Sequence, residues 1–157
     1  MTKKKKWEID GLDENKSLLE TAAIVLEQRI TIFEKSLNKY FKNDSAENLH
    51  EVRIAIRRLR YNMEIFISCF SKKKYLKYYK TIVRLQDLTG SKRDFDVFLQ
   101  NIEQISSSEK INADIVFIEI IKEKIEKVKK SLNLELRTYW NSGELKDFQK
   151  LIDKTRS

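Results

Sequence analysis

From Leu49 onward the apolar residues Val52, Ile56, Leu59, Met63, Phe66 and Phe70 follow at steps of 3, 4, 3, 4, 3 and 4. Such steps average close to one helical turn and put the seven side chains on one stripe, whereas a strand would alternate at every second residue. The spacing predicts an amphipathic helix packed along one side, as in a helical bundle. Little in the chain interrupts helices: proline is absent from all 157 residues, and glycine occurs only at Gly11, Gly90 and Gly143.

Extended along the chain, the same periodicity predicts an all-α, up-and-down helical bundle of five to six helices. A first helix is expected from about Asn15 to Lys42, with Leu18, Leu19, Ala22, Leu26, Ile30, Phe33 and Leu37 facing inward. Asn43, Asp44 and Ser45 break it and offer caps for the second helix, which runs to about Phe70. A third is expected from about Tyr75 to Thr89, stopped by Gly90, and a fourth is capped by Ser91 or Asp94. Ser106, Ser107 and Ser108 read as a flexible link. The fifth helix turns Ile115, Ile118, Ile121, Ile125, Val128, Leu132, Leu136 and Tyr139 inward, and Gly143 separates it from a short last helix with Leu145, Phe148 and Ile152. Residues 13–157 are expected to form one domain, preceded at residues 1–12 by a basic, solvated tail.

The formal charge of +8 is unevenly placed. From His50 to Arg93 twelve lysines and arginines stand against three acids, a net of +9, while residues 1–49 are neutral and residues 94–157 carry −1. A cationic centre between neutral flanks looks like a binding surface for an acidic partner. On the second helix His50, Arg53, Arg57 and Arg60 lie at i, i+3, i+7 and i+10 and share a face roughly 15 Å long. Tyr61 and Glu64 fall on or beside that face, and Arg58 points elsewhere. On the third helix Lys77, Lys80, Arg84 and Asp87 repeat the spacing. Two antiparallel neighbours of this kind can form a basic groove. Arginine forks suit bidentate phosphate contacts, and lysines act as point charges along a polyanion.

At these residues the chain resembles the CHAD family, the conserved histidine α-helical domain. LHEVRIAIRRLR, from Leu49 to Arg60, is similar to that family's first signature, and LQDLTGSKRDFDV, from Leu85 to Val97, to its second. The resemblance covers roughly residues 13–155. It implies a helical domain that binds inorganic polyphosphate through a basic surface, with no catalysis and no cofactor or metal. The binding positions it implies are His50, Arg53, Arg57, Arg58, Arg60 and Arg93, and the paired stripes add Lys77, Lys80 and Arg84. Asp94 and Asp96 match the family's acidic pair, as helix caps or as salt-bridge partners that orient the arginines. Family members usually carry two such helical halves around a shared pore and this chain contains one, so a homodimer that rebuilds the pair is expected.

Nucleic acid is the rival partner, because its backbone shares the charge of polyphosphate. A stripe of His and Arg with few amides suits a featureless polyanion better than base edges. Single-strand binding would need exposed aromatics, for which Tyr75, Tyr78 and Tyr79 are the candidates. Cys69 and His50 are single, too few for a zinc site, and no glycine-rich phosphate loop or hydrolase motif is present. Asp94 and Asp96 alone cannot supply a carboxylate cluster for metal-assisted hydrolysis. One cysteine suits a reducing compartment, and no apolar run approaches the ~18–20 residues of a membrane span. A cytoplasmic protein without a membrane partner, able to associate with polyphosphate granules, is the expectation.

Overall fold

Helix ends fall where side chains can satisfy the backbone groups that a helix leaves free. The Ser17 amide donates to Glu20 Oε2 at 2.8 Å and the Glu20 amide to Ser17 Oγ at 3.2 Å, a reciprocal cap that starts the first helix, α1, at Leu18. Ser45 Oγ likewise accepts from the Asn48 amide and starts α2. The computed structural model describes residues 5–109 and 114–156. Within them α1 spans Leu18–Lys42, α2 Ala46–Ile65, α3 Lys72–Ser108, α4 Ile115–Ser142 and α5 Glu144–Lys154. A 3-10 turn, Ile67–Cys69, joins α2 to α3, and no strand occurs among the described residues. The protein is an all-α bundle, with five α-helices among the described residues.

The largest departure from expectation is α3, which runs unbroken for 37 residues through Gly90, Ser91, Asp94 and Ser106 to Ser108. Gly90 is therefore not a stop, Ser91 and Asp94 cap nothing, and the serines form no link. One glycine inside a helix costs only about 1 kcal/mol relative to alanine, too little to end a helix whose turns are packed against neighbours. The serines adapt by bonding backwards: Ser91 Oγ donates to the Asp87 carbonyl at 3.1 Å and Ser107 Oγ to the Glu103 carbonyl at 2.8 Å. A Cβ placed on Gly90 would meet no atom within 4 Å. Gly90→Ala is accordingly expected to raise stability by about 1 kcal/mol and the melting temperature by roughly 2–4 °C. A lower melting temperature in thermal circular dichroism would contradict this account. Gly143 is different, because it adopts the left-handed φ of 74° that both ends α4 and starts α5.

α1 packs along α2, α2 along α3 and α3 along α4, with α5 folded back over α1. Leu26, Ile30, Phe33 and Leu37 of α1, Ile56, Leu59 and Met63 of α2, Leu85 of α3, Leu136 of α4 and Phe148 of α5 are fully buried. The stripes fail at two helix starts. Leu18 and Leu19 are 64% and 37% exposed, because the capping box places them before the bundle begins. Ile115 is 73% exposed, with a reason in topology. Lys129 meets Asp44 in the α1–α2 turn at 3.0 Å, so earlier turns of α4 extend past that turn and lie beside the end of α3. Lys122 reaches Glu103 there at 4.0 Å. No α3 residue after Lys92 is buried, and the two helices project together as an arm.

Of the expected basic tail, Met1 to Lys4 lie outside the described residues. The described part is held against α1. The Asp10 backbone and the Gln28 side chain exchange two hydrogen bonds, at 2.9 and 2.8 Å, and Ile9 packs on the core. Arg29 Nη2 donates to the Trp7 carbonyl at 2.9 Å. No described helix is long and apolar enough to cross a membrane.

Candidate functional site

The core stripe of α2 fixes the direction of everything else on that helix. With Val52, Ile56 and Leu59 buried, Arg53 and Arg57 emerge toward α3 and line a cleft of about 330 Å³. The opposite wall comes from Gln86, Asp87, Gly90, Ser91 and Asp94, successive turns of one face of α3. Gly90 contributes no side chain, so the wall is open where a longer residue would fill it. Among the described residues neither arginine makes an ion pair, although two carboxylates share the cleft. The cleft holds two forks of donors beside a wall that is partly acidic, and an anion seated there gains from both arginines.

The other expected site residues are distributed around this cleft. His50 is exposed one turn before Arg53. Arg60, at the far end of the stripe, gives its Nε to Glu64 Oε1 at 2.9 Å, and that oxygen also accepts from the Tyr79 hydroxyl at 2.7 Å. The Tyr79 hydroxyl and then Arg60 hold the Glu64 carboxyl below the usual carboxylate range. Arg60 is thus pre-positioned and partly neutralised.

Lys77, Lys80 and Arg84 are all exposed, but none lines the cleft. Lys77 lies 6.0 Å from the Tyr78 ring, and Arg84 pairs with Glu135 on α4. The groove expected between two basic stripes is instead a cleft with arginines on one wall and Asp87 and Asp94 on the other. Arg93 is half-buried on α3, one turn beyond Gly90, and does not line the cleft. Arg58 lies across α2 from it and lines a different groove, with Lys35 and Lys39 of α1.

The two aspartates part company. Asp94 faces Arg53 and Arg57 across the cleft. Asp96 instead binds the buried Lys92, whose Nζ is 2.6 Å from both of its oxygens. Neither caps a helix, because α3 does not begin there. Gln86 and Ser91 are cleft residues that periodicity alone passed over. Their shared face was concealed by the expected break at Gly90, though the spacing 86, 87, 90, 91, 94 would have shown it on a continuous helix.

The candidate stacking aromatics are engaged elsewhere. Tyr75 is fully buried with its hydroxyl donating to the Met63 carbonyl at 2.8 Å, and Tyr78 stacks on Phe148 at 5.0 Å. Tyr79 is tied to Glu64. Tyr75 and Tyr78 are thus committed to the core, whereas Tyr61, on the α2 face, is 51% exposed. Cys69 is a half-buried free thiol. Among the described residues no three His, Cys, Asp or Glu side chains are grouped to hold a metal ion.

A family model described as CHAD domain matches residues 4–153. No curated protein and no solved structure matches the chain.

Proposed function

The chain belongs to the CHAD domain family, and from that membership we propose that it binds inorganic polyphosphate, without catalysis, on the α2 face centred on Arg53 and Arg57. The family is associated with polyphosphate binding. The observation that carries the reading for this chain is the pair of arginines facing a cleft with no carboxylate bound to either. His50 and Arg60 extend the face to roughly 15 Å, long enough for several phosphates to be held at once. Long chains should therefore bind more tightly than tripolyphosphate. Affinity should fall with added salt, because each contact displaces counterions, as on nucleic acids.

The test is a competition titration at fixed salt with long-chain polyphosphate, single-stranded RNA and duplex DNA. Polyphosphate is expected to displace both. Tighter binding of either nucleic acid would overturn the reading.

The projecting arm supports a homodimer. Phe98 and Ile105 at the end of α3 and Ile115, Val116, Phe117 and Ile120 at the start of α4 are each between 44% and 73% exposed. Apolar side chains gathered on neighbouring helices mark an interaction surface. In sedimentation the chain is expected to run as a dimer, and Ile115→Glu with Phe117→Glu to convert it to a monomer of unchanged helicity. A monomer before any substitution would dispose of the dimer.

A further inference from the structure

A second groove lies on the opposite side of α2, and its chemistry differs from that of the cleft. Ile32 of α1 with Ile54 and Ala55 of α2 form an apolar floor in a space of about 390 Å³. Lys6, Lys35, Lys39 and Arg58 stand around it, and Glu51 is the one acid in the lining. Glu51 is already engaged, by Lys39 at 2.9 Å and Lys6 at 4.0 Å. Lys35 and Arg58 make no ion pair among the described residues, so the groove keeps an uncompensated positive rim.

Arg29 does not line the groove but adds a further positive charge close to Arg58. It stands one turn before Ile32 and two before Ser36 on the same face of α1, and is 8% exposed. Its Nη2 reaches the Trp7 carbonyl, but its Nε and Nη1 have no hydrogen-bond partner. Burial and then the nearby charge of Arg58 push its pKa below the ordinary arginine value. A buried guanidinium close to another cation is costly, and an anion paired with Arg58 at the rim would offset part of that repulsion.

We propose that the groove between α1 and α2 is a separate site for a small amphipathic anion, a single phosphate or carboxylate carried on a short alkyl chain. The head group pairs with Lys35 and Arg58 at the rim, and the chain lies on Ile32, Ile54 and Ala55. Polyphosphate has nothing to gain from that floor, whereas the α2–α3 cleft has no such floor to offer. The two sites thus divide anions by whether they carry an apolar body.

Calorimetric titration of the full chain with octyl phosphate, kept below its micellar concentration, tests this. Octyl phosphate is expected to bind saturably at one site per chain. Inorganic phosphate and octyl glucoside, which each carry half of its chemistry, are expected to bind at least about tenfold more weakly. Lys35→Glu, at an exposed position, and Arg58→Gln are each expected to cost octyl phosphate about tenfold, the worth of one charge-assisted hydrogen bond. Lys35→Glu should leave polyphosphate binding unchanged, and Arg53→Ala with Arg57→Ala should leave octyl phosphate binding unchanged. Equal binding of inorganic phosphate or of octyl glucoside overturns the amphipathic site. Octyl phosphate affinity that ignores both groove variants, or that disappears with the cleft arginines, overturns its location. Because each ligand is titrated separately, failure of polyphosphate to bind would leave this result readable.

Discussion

Arg53→Ala combined with Arg57→Ala is expected to lower polyphosphate affinity by about 100-fold or more, with helicity unchanged. Each arginine can make charge-assisted hydrogen bonds to phosphate oxygens, worth about 1.5–3 kcal/mol apiece, and about 1.4 kcal/mol is one decade in affinity. Folding should survive because both side chains emerge from α2 toward solvent-filled space and neither is held in an ion pair. The slope of log affinity against log salt should also flatten by about two, one for each phosphate that is no longer neutralised. The opposite wall gives the reverse effect: Asp87→Asn with Asp94→Asn removes two like charges from the path of the polyanion and should raise affinity. Titrations at several salt concentrations, with circular dichroism as the folding control, read all of these quantities. Wild-type affinity in the arginine double variant would refute the site.

The second large effect concerns stability. Asp96→Ala is expected to destabilise the protein by about 3 kcal/mol, because it strands the buried Lys92 ammonium with no counter-charge. Replacing the pair together, Lys92→Met with Asp96→Leu, should recover most of that loss, since a well-packed apolar pair often matches a buried ion pair in stability. Denaturant unfolding of the single and double variants tests the claim. Equal destabilisation of both would show that packing and not the stranded charge sets the cost. The outcome also separates the two aspartates: Asp96 should act on folding, and Asp94, which lines the cleft, on anion affinity.

Much of this was legible in the residues because helical periodicity is a local signal. The 3–4 spacing from Leu49 to Met63 placed the buried stripe of α2, and that stripe in turn fixed where Arg53 and Arg57 point. Ser45 and Gly143 could be assigned because a capping hydroxyl and a left-handed glycine each act within a turn or two. What failed depended on neighbours distant in sequence. Gly90 has the residue type of a helix stop, but packing of α3 against α2 and α4 outweighs its modest cost. Ile115 fits the inward spacing of α4, yet the α1–α2 turn ends beside Lys129 and leaves nothing for that turn to face except α3. Arg84 has the spacing of a groove residue, and only the position of Glu135 shows that it turns toward α4.

The continuity of α3 has a mechanical consequence. The helix that forms the acidic wall of the cleft is the same rod that ends in the exposed apolar tip of the arm, and no turn or hinge separates the two. From Gly90 to Ile105 that rod is about 22 Å long. The arginines lie against the middle of that rod, whose first half is packed in the bundle and whose second half forms the arm. Any small change in the angle at which α3 meets α2 would be carried, undamped by a hinge, to the apolar tip, so the geometry of the two surfaces is tied together by one helix.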